Sequence, residues 1–206
     1  MTSNPVAGSP TPADIDPQSG FRLPLPRRED LDEAGKRVYD IVNDPKGGTI
    51  VGLRGPGGIQ LYSPVFAELA RPLNRFLRFE SGLSARLREV AILATARECD
   101  SRFEWAAHEP EALREGVAAA IVDIIKHRKS TRGLAEEDAV IIDLGREAFG
   151  AKKVSSATFA RALAQFGACG LVNLVALMGN YAGTAALLAT FDMQLKPGET
   201  ALLPVP

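Results

Sequence analysis

Residues 83–116 read LSARLREVAILATARECDSRFEWAAHEPEALREG, and their spacing decides the fold. Ser84 is a helix-capping residue type, and Leu87, Val90, Ala91 and Ala94 follow it at helical spacing. Asp100-Ser101 interrupts the pattern, and a second helix runs toward Glu115-Gly116. The same period continues outward. Upstream, Leu31, Ala34, Val38, Ile41 and Val42 mark a helix that follows Glu29-Asp30 and stops near Asn43-Asp44-Pro45. Ser63-Pro64 supplies a cap and a first-turn proline for the next, whose apolar stripe is Phe66, Leu69, Leu73, Phe76 and Leu77. Pro72 is expected to kink it and Gly82 to close it. Downstream, helices are expected over 117–127, 136–149, 156–166 and about 169–190. No convincing run of alternating strand residues appears, so the expected class is all-α, a compact bundle of about seven helices.

Residues 44–64 contain six glycines and three prolines and read as a long loop, a place where function often sits. No Gly-Lys-Ser/Thr follows, which excludes a phosphate-cradling P-loop. Residues 1–20 hold four prolines and no Lys or Arg; they are expected to be a flexible arm, with residues 21–206 as a single helical domain. Lacking a basic start and an apolar run, residues 1–20 do not read as a signal peptide, so a cytoplasmic location is expected.

The chain of 206 residues and 22.0 kDa balances 24 Lys and Arg against 25 Asp and Glu. A net charge of -1 gives no bulk attraction to nucleic acid or anionic lipid, and neither partner is expected. Two cysteines, Cys99 and Cys169, cannot build a disulfide scaffold, and two histidines leave little for a closed zinc site. From Ala162 to Phe191 there is no charged residue. Length would permit a membrane span, but Gln165, Asn173, Asn180, Thr184 and several glycines argue for a helix buried in a soluble core or between subunits. Asn173 and Asn180 share a face and need partners. One domain of this size does not readily bury so much apolar surface, so a homo-oligomer is expected.

The densest polar constellation lies in the opening stretch. Glu104 and His108, four apart, meet on one helix face, and a carboxylate that orients an imidazole is a unit for proton transfer. Glu89 on the preceding helix offers a second acid, and Arg86 among neighbouring arginines offers a clamp for a carboxylate. Each has a plainer reading. Ser101-x-x-Glu104 is also a capping box, and Arg86 and Glu89 also make an i,i+3 ion pair. His108 is also compatible with an ordinary surface or core histidine, and Trp105 with packing. His127 sits among Lys126, Arg128 and Lys129 at a helix C-terminus, where positive charge is favourable without any chemistry.

The run from Arg86 to Leu93 with Phe103-Glu-Trp-Ala-Ala-His108, Ala112 and Gly116 resembles the carboxymuconolactone decarboxylase family, which includes the alkylhydroperoxidase D-like proteins. Residues 55–64, 71–78 and 159–181 are similar to its flanking segments, so the resemblance covers about residues 30–195. It implies an all-α fold that assembles into trimers or hexamers, with sites between helices near subunit contacts. Redox members carry Cys-x-x-Cys-x-x-x-His with an upstream Glu. Here Glu89 and His108 match in register, but Ser101 and Glu104 stand where the two cysteines would be. Disulfide cycling needs two thiols, so a peroxidase of that type is the disfavoured alternative. Cys99, between Glu98 and Asp100, is poorly placed for a thiolate.

The resemblance therefore implies a lyase of the kind found in aromatic catabolism, acting on a small carboxylated lactone or keto-acid-like substrate. No metal or organic cofactor is expected, because the substrate's own carbonyl accepts the electrons. His108 would deliver the proton, Glu104 orient or recharge it, and Glu89 relay to water. Arg86 or Arg54 would bind the anion, with Trp105 and Tyr62 completing the substrate-binding set. A helical oligomer that binds a small ligand without turning it over is the remaining alternative.

Overall fold

The computed structural model describes residues 11–44 and 50–204. Among these, eight α-helices and no strand are found: α1 (Glu33–Asn43), α2 (Pro56–Gln60), α3 (Pro64–Arg75), α4 (Ala85–Glu98), α5 (Arg102–Arg114), α6 (Ala119–Lys126), α7 (Glu136–Gly145) and α8 (Ser156–Thr190). The all-α class holds. The runs expected over 156–166 and 169–190 are joined in α8, and the helix that the sequence does not predict is α2, one turn and a half inside the glycine-rich segment that the sequence presents as loop. It starts at Pro56 and depends on Gly58, where a Cβ would lie 2.1 Å from the Leu53 carbonyl oxygen.

Helix α4 is the axis. Asp or Ser side chains cap α1, α4 and α8: Asp32 accepts from the Gly35 amide, Ser84 from Leu87 and Ser155 from Thr158. Every residue from Arg88 to Arg97 is buried, so α4 is enclosed on all sides rather than amphipathic. Val90 to Ala94 pack against Trp105 and Ala112 of α5, Val122 and Ile125 of α6, Val140 to Ile142 of α7, and Leu174, Leu177 and Met178 of α8. Gly145 lets α7 approach closely, since a Cβ there would meet Met178 and Ala94 at 3.0 and 3.1 Å. The break expected between residues 166 and 169 is present: Gly167 takes φ 65° and ψ 174° and divides α8 into two helical runs.

Three expectations are corrected. The flexible arm does not extend to residue 20. Residues 1–10 lie outside the described residues, but from Asp14 onward the chain is tied down. Arg22 bonds Asp14 and the Thr190 carbonyl, the Gln194 amide donates to the Gly20 carbonyl, and Phe21 is fully buried against Ile59, Phe103 and Leu188. Ser63 precedes α3 without capping it through its side chain. Most consequentially, the apolar stripe of α3 faces outward. Phe66, Leu69, Leu73 and Phe76 are exposed and only Leu77 is buried. The opposite edge of α3, with Arg71, Asn74 and, in the π-helical turn Phe76–Glu80 that follows, Arg78, turns to the interior. Asn180 of α8 donates to Asn74 Oδ1 at 3.1 Å, and Asn173 to the Ser81 carbonyl at 3.1 Å, so the two asparagines find the partners they need on this segment.

Helix α8 is long and apolar enough to cross a membrane by length and composition, and 28% of its most apolar window is buried within the chain.

Candidate active site

A cavity of about 160 Å³ opens where α2, the inner edge of α3, α5 and α8 converge. Its walls carry Arg71, Asn74, Arg78, Glu104, His108, Asn180 and Tyr181. The residues reach it from rigid elements. Glu104 and His108 are one turn apart on α5, and Glu89 enters from the buried axis α4 directly behind them.

His108 is buried, and its Nδ1 lies 2.8 Å from Glu89 Oε2. Glu89 is 1% exposed. Burial pushes its carboxyl up, but the hydrogen bond and charge of His108, reinforced by Arg88, outweigh burial and hold it below the usual carboxylate range. Arg88 Nε donates to Glu89 Oε1 at 3.2 Å, and an Arg88 terminal nitrogen donates to the Arg78 carbonyl at 2.9 Å. An ionised carboxylate only accepts, so Nδ1 carries the hydrogen and Nε2 is left as the nitrogen free to accept a proton.

This reverses two of the roles expected. Glu89, not Glu104, orients the imidazole, and Glu89 is too buried to relay to water. The i,i+4 spacing of Glu104 and His108 places both on one face, but the ring turns to the acid on the neighbouring helix. Glu104 is no cap either: Ser101 makes no side-chain cap bond, and Glu104 points inward, 4% exposed, with Oε2 buried and without a hydrogen-bond partner. Burial alone pushes its carboxyl well above the usual range. A protonated carboxyl is the form such a site holds, and it is a donor as well as an acceptor.

The anion-binding assignments are corrected as well. Arg86 faces away from the cavity and is held by Glu137 and, at 2.8 Å, by Asp138 of α7. Arg54 donates to the carbonyls of Pro17 and Gln18 and fastens the N-terminal segment. Neither lines the cavity. Trp105 is fully buried in the core, donating to Glu109 beneath the Lys126 ammonium, and Tyr62 donates to the Pro24 carbonyl at the surface. The arginines that do line the cavity are Arg71 and Arg78. Arg71 has no carboxylate partner among the described residues, and burial lowers its pKa. Arg78 stacks on Phe79, with its Nε buried and without a hydrogen-bond partner. Residues 71, 74 and 78 share one helical face, a signal present in the sequence but overshadowed by the apolar stripe beside it. Tyr181 was also missed. Its ring meets His108 edge-on, centroids 5.1 Å apart at 84°.

His127 lies on the surface, 3.6 Å from Asp123, as a residue of a helix end. Cys99 and Cys169 are both free. Burial is the main cause that pushes the Cys99 thiol up, so the thiolate is disfavoured.

Residues 64–142 match the family model described as the Carboxymuconolactone decarboxylase family, a span running from α3 into α7 and including Arg71, Arg78, Glu89, Glu104 and His108. A search of the curated proteins finds no significant match.

Proposed function

Residues 64–142 match the model of the carboxymuconolactone decarboxylase family, and from that likeness we propose that the chain is an acid–base enzyme acting on a small organic acid by decarboxylation or proton transfer. One observation carries the reading: a buried Glu89–His108 pair, 2.8 Å apart, faces a cavity whose two arginines have no carboxylate partner among the described residues. Arg71 and Arg78 supply the positive charge for a substrate carboxylate. His108 Nε2 takes or returns the proton at carbon, and Glu89 stabilises the imidazolium that forms. The departure of Ser101 and Glu104 from a cysteine pair, together with the disfavoured Cys99 thiolate, argues against thiol-based peroxide reduction.

The reading is tested by turnover of a panel of carboxy-lactones and β-keto acids. Wild type is expected to consume at least one. Arg71→Gln and Arg78→Gln are each expected to raise KM for it by ~10–100-fold, the range for losing a charge-assisted hydrogen bond of about 1.5–3 kcal/mol. A neutral ester of the same compound should not respond to either change. Equal KM values for wild type and both variants would remove the arginines from the site.

The proposal extends to assembly. Leu69 is 70% exposed, Val172 67% and Val65 66%, and no single folded domain gains by presenting such side chains to water. A second copy of this chain covers the outer faces of α3 and α8, giving a trimer or hexamer. Light scattering at micromolar concentration is expected to give a multiple of 22.0 kDa. A monodisperse monomer, or a chain recovered only with detergent or lipid, would contradict it.

A further inference from the structure

We propose that Tyr181 and Glu104 form a pair of hydrogen-bond donors that receive the oxyanion of an enolate beside His108. The inference rests on the acid–base reading and narrows the substrate to compounds whose acidic or carboxylated carbon sits next to a carbonyl. Three features lead to it. Tyr181 and Glu104 line the same cavity as His108, from different helices. Both are more than nine-tenths buried, and neither side chain is committed: Glu104 Oε2 has no partner, and the Tyr181 hydroxyl has none among the described residues. The edge-to-face packing of Tyr181 on His108 fixes the phenol beside the imidazole, within the span of a small carbonyl compound.

Burial pushes both groups up, so the phenol and the carboxyl each keep the proton they would donate. Two uncharged donors suit this task. They interact modestly with a ground-state carbonyl and much more strongly with the oxyanion that develops, which is the differential that lowers a barrier. In decarboxylation the bond from the acidic carbon to its carboxylate breaks and carbon dioxide leaves. The electron pair forms a carbon–carbon double bond, and the carbonyl π pair moves to oxygen, where Tyr181 and Glu104 hold it. The imidazolium Nε2–H of His108 then gives its proton to carbon, and the carbonyl re-forms. In proton transfer the first step is instead removal of the carbon-bound hydrogen by Nε2. No external oxidant, reductant or cofactor enters the balance.

The test separates this pair from the acid–base reading beneath it. Substituted phenols of graded acidity mimic an enolate and require no turnover; their ultraviolet bands report whether they bind as phenolates. Wild type is expected to bind 4-nitrophenol as the hydrogen-bonded phenolate. Tyr181→Phe is expected to bind it at least tenfold more weakly with a shifted band, while melting with wild type, because the lost hydroxyl has no partner among the described residues. On a turned-over substrate, Tyr181→Phe should lose about 10²–10³-fold in kcat with KM little changed, the usual cost of one oxyanion donor. Glu104→Gln keeps an N–H donor and should lose less. Unchanged phenolate binding and kcat in Tyr181→Phe would overturn the donor pair while leaving the acid–base reading standing. Failure of wild type to exchange or decarboxylate any carbonyl acid that it binds would overturn both.

Discussion

His108→Gln is expected to lower turnover by ~10²–10⁴-fold, the range for a positioned acid–base group, while the protein remains folded. Gln fills similar space and hydrogen-bonds Glu89, but it cannot carry a proton between substrate and solvent. Glu89→Gln is expected to produce a comparable loss by a different route: the neutral amide no longer stabilises the imidazolium, and its NH₂ can force the ring into the other tautomer. Because Glu89 works through His108 across a 2.8 Å hydrogen bond, the two act as one unit. The double variant should therefore be little worse than the poorer single variant rather than the product of the two. Multiplicative losses in steady-state kinetics would mean that the pair is not coupled. His127→Gln, at a surface helix end, should leave turnover unchanged.

Glu104→Gln is expected to make the fold more stable at pH 8 and to change little below about pH 4.5, the ordinary carboxyl value. The sign follows from proton uptake. Burial raises the folded pKa of Glu104 above its unfolded value. Between those two values the native state holds a proton that the unfolded chain releases, so stability falls as pH rises. The loss is about 1.4 kcal/mol for each pH unit of that window. Gln is uncharged throughout and escapes it. Thermal melts of both proteins from pH 4 to 9 should diverge progressively with increasing pH. Parallel curves would mean that Glu104 is ionised in the fold, and Tyr181 would then lack its donor partner.

The helices were legible because their periods are strong and their punctuation is local: Ser84 caps α4 as its residue type predicts, and Gly167 breaks α8 between the two expected runs. His108 and Glu89 were legible as residue types in register, and they do meet in the structure. The pairing was not. An i,i+4 rule sees only one helix, whereas His108 bonds across to α4, and that choice depends on how the two helices pack. The arginines were misassigned for a related reason. Arg86 and Arg54 neighbour interesting residues in sequence, but acids on α7 and carbonyls of the N-terminal segment capture them. Arg71 and Arg78 sit beside an apolar stripe that, by the ordinary rule of burial, should face the core. In this chain that stripe faces out and the charged edge faces in, an inversion that the proposed covering of α3 by a second copy would explain. Tyr181 lies in a long apolar helix where an aromatic residue reads as core, and its contact with His108 spans 73 positions of sequence.

His108 is proposed to move a proton at carbon, and solvent isotope exchange reads that event without requiring net reaction. A carboxylated lactone or β-keto acid shown by calorimetry to bind would be incubated with the protein in D₂O and followed by proton NMR. Wild type is expected to incorporate deuterium at the acidic carbon, or at the carbon left after loss of carbon dioxide, well above the buffer rate. His108→Gln should bind the same compound and incorporate deuterium no faster than buffer. Binding by wild type without exchange would make the protein a ligand carrier, and exchange undiminished in His108→Gln would place the chemistry on another residue.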